Sequence, residues 1–308
     1  MQVPKLKTIT LLAGFGFLAA CTKNGNTKTM TVYDTITVTK TDTLKLPPPD
    51  DTPNLTSGLV LYLPFNGSFA DSSGLNNTVT AVNGAALGYD MHGYAQSAYT
   101  SNGGDAYLMV TNNGSYAVDT AFALSFDFMI KADAYYYGGG NYLGLQTFIS
   151  IVDEADGTSP TFNVGLNVPS APQDFNFGTN SSTSGCGSSG NANPLNIDTT
   201  TNFIPQIGSW YNAIVEDSHG TLTVYINGQL IATKTGGTDS VEFCPTASFV
   251  VGAWWNNGGE NLNGSLDEVR FYNHTLTPQQ IAWLSRNFQI NSTGKKPGLQ
   301  SGKAPGVN

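Results

Sequence analysis

The chain contains 308 residues, of which 11% are charged, and its formal net charge is −9. The charged fraction lies far below the roughly 25% that is usual for soluble domains. This composition argues against a helical bundle, a coiled coil and a highly charged disordered chain, and it favours short strands joined by many turns. Residues 55–290 alone carry four Lys and Arg against 18 Asp and Glu, a balance of −14. Such an acidic segment argues against a nucleic-acid-binding protein.

The first 21 residues have the pattern of an export signal. Two lysines precede an apolar stretch from Ile9 to Ala20, which is too short to span a bilayer. The stretch ends in Leu-Ala-Ala before Cys21, which resembles the lipobox of bacterial lipoproteins and implies a lipid anchor on that cysteine. The alternative is an ordinary secretory signal with a chance cysteine. Thr22 resembles the residue that sorts such proteins to the outer membrane of Gram-negative bacteria, and a periplasmic or surface-facing position stays open.

The chain divides into four predicted segments. Residues 1–20 are the signal peptide, and residues 21–54 are the lipidated cysteine with a stalk rich in Thr and Pro. Residues 55–290 form one domain, and residues 291–308 have no apolar periodicity and are expected to be a disordered tail.

Alternating apolar residues and Asn-Gly turns predict an antiparallel sandwich for the domain. In Ala123–Ile130, every second residue is apolar and large, which is typical of a strand with one buried face. Thr221–Ile226 is followed by Asn227-Gly228 and a further alternating run, which predicts a hairpin. About a dozen such strands indicate an all-β, two-sheet architecture. Trp210 and Trp283 are expected in its core.

One helix is predicted near the end of the domain. Thr277 suits the N-cap, Pro278 suits the first helical position, and Gln280 completes a capping box. Ile281 and Leu284 are then expected to face the sandwich.

Two segments carry a resemblance to a known family. The first is LVLYLPFNGSFADSSGLNN at residues 59–77, and the second combines VYING at 224–228 with GSLDEVRFYN at 264–273. Together they resemble a LamG-like jelly roll of the concanavalin A-like lectin/glucanase superfamily. The resemblance implies a jelly-roll sandwich whose members bind glycans, bind proteins or accompany catalytic modules. Residues 131–207 match no pattern of the family, and functional variation is expected there.

The resemblance also implies a structural calcium ion between an early loop and a late strand. Asp71, Asn76 and Asp267 match those positions, and carboxylate and amide oxygens are ligands that calcium prefers. The alternative is that Asp71 only caps the turn that it begins, while Asp267 only accepts hydrogen bonds from backbone amides.

Exposed aromatic side chains are the candidates for ligand binding, because sugar rings stack on them. Two groups stand beside polar or glycine-rich sequence: Trp254 and Trp255 with Asn256, and Tyr135, Tyr136 and Tyr137 before three glycines. Adjacent strand residues point to opposite faces, so only one of the two tryptophans can be in the core. The alternative is that all of these aromatics pack in the core or under loops.

Catalysis and disulfide formation complete the predictions. Glycosidases of this fold carry an E-x-D-x-x-E strand, and the partial match at Glu154-Ala155-Asp156 lacks its second glutamate. No catalytic residue is therefore assigned. Cys186 and Cys244 remain as an even pair in an oxidising compartment, which predicts a disulfide, with two free buried thiols as the alternative. The sequence favours a non-catalytic, glycan-binding envelope lipoprotein. A protein-interaction or structural lipoprotein and a glycoside hydrolase or lyase are the alternatives.

Overall fold

The computed structural model describes residues 52–111, 113–114, 120–131, 145–152, 162–167, 174–181, 193–199, 203–237, 247–254 and 259–292. The strands within these ranges are β1 Leu59–Leu63, β2 Thr78–Val82, β3 Ala86–Gly88, β4 Ala98–Asn102, β5 Tyr107–Thr111, β6 Ala121–Ile130, β7 Gln146–Val152, β8 Phe162–Asn167, β9 Asp174–Ser181, β10 Asn193–Asp198, β11 Trp210–Ser218, β12 Thr221–Ile226, β13 Gln229–Thr235, β14 Ser248–Val251 and β15 Asn263–Tyr272. They are followed by one helix, α1, at Pro278–Ser292.

The strands form two antiparallel sheets. Sheet A has the order β13-β12-β11-β6-β15-β4-β3, and β1 also pairs with β15. Sheet B has the order β10-β9-β8-β7-β14-β5-β2. The predicted two-sheet sandwich is therefore confirmed, and so is the hairpin at Asn227-Gly228, where Ile226 pairs with Gln229.

Phenylalanine side chains from both sheets fill the space between them. Phe128 of sheet A and Phe148 of sheet B have ring centroids 4.8 Å apart, and Phe122 and Phe162 are 5.4 Å apart. Each of these rings is fully buried. The apolar face predicted for residues 123–130 is thus the face of β6 that points into the core.

Helix α1 packs on the outer face of sheet A. Ile281 and Leu284 join a second apolar cluster with Ala123, Ile214 and Tyr272. The predicted capping box is present, because Gln280 Oε1 accepts a hydrogen bond from the Thr277 N–H at 2.8 Å and Thr277 Oγ1 accepts one from the Gln280 N–H at 3.2 Å. Ala123 of β6 and Ile214 of β11 lie in this cluster, and β6 is buried along most of its length.

Two expectations differ from the structure in detail. Trp210 and Trp283 are half-buried rather than in the core. Trp210 begins β11 and pairs with the half-buried Met129, on the outer side of sheet A, while Trp283 packs against the rim of the helix cluster. Among the described residues, no helix is both long and apolar enough to cross a membrane.

Candidate functional site

A polar cleft lies on the outer face of sheet B, on the side opposite the phenylalanine core. Its volume is about 230 Å³. Strands β7 to β10 form its floor, and the segments after β14 and before β15 form one end. The lining residues are Leu145, Gln146, Thr147, Asn163, Gly165, Leu166, Asn176, Asn196, Trp254 and Glu260. Four of these ten residues carry amide side chains and one is glycine, beside two leucines, Thr147, Trp254 and Glu260.

Strand alternation places the amides on this surface. On β8, Phe162 and Val164 point into the core, so that Asn163 and Gly165 point outwards. Strand β9 repeats the pattern, with Phe175 and Phe177 in the core. The same period of two along three successive strands produces a patch of small and polar residues above an apolar core.

The pairing register brings two amides together over a glycine. Asn163 on β8 lies opposite Gly178 on β9, and Gly178 lies opposite Asn196 on β10. A Cβ atom on Gly178 would lie 1.9 Å from Asn196 Oδ1 and 3.2 Å from Asn163 Oδ1. Glycine therefore leaves the space that the two amide oxygens occupy. Asn196 is exposed and Asn163 is half-buried, so both can reach a ligand.

A second glycine permits close contact between β7 and β8. A Cβ atom on Gly165 would lie 2.2 Å from the carbonyl oxygen of Gln146. The register of these strands shifts between Thr147 and Ile149, which marks a bulge at the edge of the cleft. The bulge leaves the Thr147 N–H free to donate to the Glu260 carbonyl oxygen at 2.7 Å.

Glu260 stands at the β7 end of the cleft. Its backbone has a φ of 48°, in the left-handed region that is unusual for a residue other than glycine. Thr147 Oγ1 donates to its carboxylate Oε2 at 3.5 Å. Burial raises the pKa of Glu260 to about 7, and the bond from Thr147 opposes that rise. The carboxyl group therefore changes charge near neutral pH.

Trp254 forms the same end of the cleft. It lies beyond the end of β14, where its N–H donates to the Gly259 carbonyl oxygen at 2.9 Å. Its own carbonyl oxygen accepts a hydrogen bond from Ser150 Oγ at 3.1 Å. The indole is half-buried and lines the cleft. These bonds fix the backbone of Trp254 above β7.

The other ligand-binding and covalent predictions lie outside the described residues and stay predictions. They are Trp255, Asn256, Tyr135, Tyr136, Tyr137, the lipidated Cys21, and the pair Cys186 and Cys244.

The three residues predicted to bind calcium fall into two separate places. Asp71 and Asn76 line a shallow pocket together with Asn77. Both Asp71 oxygens are engaged by the chain: Oδ1 accepts from the N–H groups of Tyr62 and Ser73, and Oδ2 accepts from Ser73 Oγ and from the backbone and side-chain nitrogens of Asn77. Burial alone would raise the pKa of Asp71, but these bonds lower it below its usual value. These contacts match the alternative given by the sequence, in which Asp71 caps the turn that it begins.

Asp267 lies on β15 of sheet A, opposite Asp127 of β6. Its Oδ1 accepts a hydrogen bond from the Glu268 N–H at 2.8 Å. Burial, with Glu268 and Asp127 nearby, raises the pKa of Asp267 well above its usual range. In the ranges that the structure describes, no group of three His, Cys, Asp or Glu could hold a metal ion. The arrangement fits organisation of the loop and strand better than calcium coordination, and calcium stays a prediction.

The amide residues of the cleft were not found from the sequence. A signal for them exists in three runs, FNVGLN at 162–167, FNFGTN at 175–180 and PLNID at 194–198, where Asn or Gly alternates with apolar residues. All three lie within residues 131–207, where functional variation was expected.

Sequence comparison identifies the family. A family model for the concanavalin A-like lectin/glucanase superfamily matches residues 102–282, more than half of the chain. The chain belongs to this superfamily. A comparison with curated protein sequences finds no significant match.

Solved structures share the fold of the superfamily at low sequence identity. The binding domain of Paraclostridial Mosquitocidal Protein 1 aligns with a TM-score of 0.56 at 16% identity, over 76% of this chain and 53% of that chain. A second similar structure is domain 4 of AbnA, a GH43 extracellular arabinanase from Geobacillus stearothermophilus, solved with arabinotriose. It aligns with a TM-score of 0.50 at 21% identity, over 74% of this chain and 98% of that chain. The binding domain of botulinum neurotoxin DC, solved with SialylT, aligns with a TM-score of 0.54 at 17% identity, over 75% of this chain and 51% of that chain. The chain thus spans about half the length of the two toxin domains.

Proposed function

We propose that this protein is a non-catalytic, glycan-binding protein of the bacterial cell envelope, and that the cleft on sheet B is its binding site. The observation that carries the proposal is the combination of Asn163, Asn196 and Trp254 on one concave surface. Amides donate and accept hydrogen bonds with sugar hydroxyls, and an indole offers a flat apolar face to a sugar ring. A few polar groups beside an aromatic side chain are typical of small-molecule sites.

Two similar structures support this choice of ligand class. The AbnA domain was solved with arabinotriose, and a botulinum neurotoxin binding domain was solved with SialylT. Another binding domain of botulinum neurotoxin DC was solved with rat synaptotagmin II, so the same fold also binds protein. The amide-rich cleft favours a glycan for this chain.

The described cleft supports binding rather than hydrolysis. Glycosidases flank the scissile bond with two carboxyl groups, which are about 5–9.5 Å apart depending on the mechanism. Glu260 is the one carboxylate among the described lining residues. We therefore propose that Glu260 contributes to recognition and that the protein does not cleave its ligand.

Membrane attachment belongs to the same proposal. Lipidation of Cys21 would anchor the mature chain to the outer membrane. Metabolic labelling with palmitate in a Gram-negative host tests this point: the full chain should be labelled and the Cys21→Ala variant should not. Labelling of the variant would contradict lipidation at Cys21 but would not bear on the proposed binding site in the cleft.

A glycan array probed with the purified full-length chain tests the binding function. We expect binding to at least one glycan class and loss of about tenfold or more in affinity for Trp254→Ala, because stacking on an aromatic ring contributes on the order of 1–3 kcal/mol. Tyr89→Ala is the matched control, since this tyrosine is 67% exposed and is not a lining residue. A blank array with folded protein would overturn the proposal and favour a protein partner.

A further inference from the structure

The cleft is longer across the strands than along them. Its floor extends from Thr147 on β7, through β8 and β9, to Asn196 on β10. Neighbouring strands lie about 4.8 Å apart, so four strands give a length of roughly 14 Å, which corresponds to about three sugar units. Along the strands, the lining residues of β8 run from Asn163 to Leu166, which gives a width of about 10 Å.

The two ends of this cleft differ in chemistry. Trp254 and the carboxyl group of Glu260 stand at the β7 end. At the β10 end, Asn196 is exposed and the Lys234 ammonium group donates to its backbone carbonyl oxygen at 2.7 Å. Lys234 is not a lining residue of the cleft. The floor between the two ends carries no charged side chain among the described residues: it is formed by the amides Asn163 and Asn176, by Gly165 and by Leu166.

The backbone of Glu260 is held against β7, and its carboxyl group lies beside Thr147. Its carbonyl oxygen accepts from the Thr147 N–H, and the next residue, Asn261, forms a parallel bridge with Thr147. Thr147 Oγ1 contacts the carboxylate itself. An ionised carboxylate in this position accepts hydrogen bonds from two sugar hydroxyls and repels a second carboxylate.

We infer that the cleft binds an uncharged oligosaccharide extended across β7 to β10, with Glu260 accepting hydroxyl hydrogen bonds at the β7 end and excluding acidic sugars. The inference rests on the proposed glycan-binding function and specifies its ligand class. The balance of −14 over residues 55–290 acts in the same direction, because it disfavours anionic polysaccharides over the whole domain.

The test uses the full-length chain and an array that carries two sets of probes. One set contains neutral arabinan, xylan, galactan, mannan and glucan oligosaccharides of two to six units. The other contains galacturonan oligosaccharides of the same lengths and sialylated glycans. We expect binding within the neutral set only, with a rise in affinity up to about three units and little gain beyond, as the length of the cleft requires.

Glu260→Gln removes the charge of the carboxylate but keeps the size of the side chain, so it tests the effect of the charge alone. This variant should weaken neutral binding by about tenfold, since hydrogen bonds to a charged group are stronger than neutral ones. It should also admit acidic probes that the unaltered chain rejects. Asp105→Asn is the matched control, because it removes an exposed carboxylate at a position outside the lining and should change neither set.

The outcomes distinguish this inference from the function on which it rests. The proposed ligand class would be wrong if acidic probes bound as tightly as neutral ones, or if Glu260→Gln kept the preference for neutral probes. Glycan binding itself would not be contradicted by either result. Affinity that is already maximal at two units would overturn the extended arrangement. The absence of binding to both the neutral and the acidic probes would overturn the glycan-binding function and this inference with it.

Discussion

Gly178 determines where the amide groups of Asn163 and Asn196 can lie. The two side chains meet over this glycine, where an added methyl group would lie 1.9 Å from the Asn196 amide oxygen. Both asparagines line the cleft, so a side chain at position 178 would displace amides that face a ligand.

Gly178→Ala should weaken glycan binding by about tenfold, because the added methyl group would displace the Asn196 amide, and a lost hydrogen bond costs about 0.5–1.5 kcal/mol. Calorimetric titration with the best array glycan measures the effect. Gly88→Ala is the control, since its added methyl group would also crowd a neighbouring side chain, Thr100, but on sheet A. Equal affinities for Gly178→Ala and the unaltered chain would show that the ligand does not contact β9.

The charge on Glu260 should make ligand selection depend on pH. Burial raises the pKa of this carboxyl group to about 7, so it is mostly neutral at pH 5.5 and mostly ionised at pH 8. Discrimination against galacturonan probes should accordingly be stronger at pH 8 than at pH 5.5. Array binding at both pH values measures it, and the same pH response in Glu260→Gln would assign the effect to another group.

At the scale of elements, helix α1 is stabilised at its start by a reciprocal cap. Thr277→Ala removes the hydroxyl that accepts from the Gln280 N–H. A lost N-cap costs about 1 kcal/mol, which should lower Tm by about 2–4 °C in a domain of this size. Thermal unfolding checks this value against Thr52→Ala, an exposed threonine before β1. Identical Tm values for the two variants would mean that the helix is not part of the cooperative unit.

Asp71 organises the loop after β1 through hydrogen bonds to Tyr62, Ser73 and Asn77. Asp71→Asn keeps the size of the side chain but turns one acceptor into a donor that faces donors from Ser73 or Asn77. The buried mismatch should cost about 1–3 kcal/mol, to the same extent in calcium and in EDTA. Ser73→Ala removes one donor and should cost less. A Tm that rises with calcium in the unaltered chain, but not in Asp71→Asn, would instead support the calcium prediction.

At the scale of the whole molecule, buried carboxyl groups connect stability to pH. Burial raises the pKa of Asp127 to about 7, against hydrogen bonding from Asn212, and raises the pKa values of Glu216 and Asp217 to about 6. The unfolded chain loses these protons near pH 4, and the folded chain keeps them longer. Their contribution to stability is complete below about pH 4 and is lost as the pH rises to about 7.

Asp127→Asn should therefore reduce the loss of stability between pH 5 and pH 8. The amide imitates the protonated acid, and its carbonyl oxygen can still accept from Asn212 Nδ2. Thermal unfolding at both pH values measures the difference, with Asp105→Asn as an exposed control. A variant whose Tm falls as steeply with pH as that of the unaltered chain would show that Asp127 is ionised in the fold.

The sequence predicts local structure better than the site. Alternation, the Asn-Gly hairpin and the cap at Thr277 depend on neighbours in the chain, and all three are confirmed. The half-buried positions of Trp210 and Trp283 depend on how the outer face of sheet A is covered, which local patterns do not show. The cleft depends on contacts of Trp254 and Glu260 with β7, which lies more than 100 residues earlier in the chain, and these contacts form only when the sheets form.

The bond between Lys234 and β10 has a consequence for chemical modification of the protein. Residues 131 and 234 are the two lysines between positions 55 and 290, and Lys234 Nζ binds the backbone of Asn196 beside the cleft. Acylation of Lys234, as in amine coupling to a biosensor chip, would remove its charge and place a bulky group at the edge of the proposed binding surface. The N-terminal end of the domain lies on the opposite face, where Asn54 contacts Gln280 of helix α1. Coupling that spares Lys234 therefore leaves this edge of the cleft unchanged, whereas acylation of Lys234 alters it.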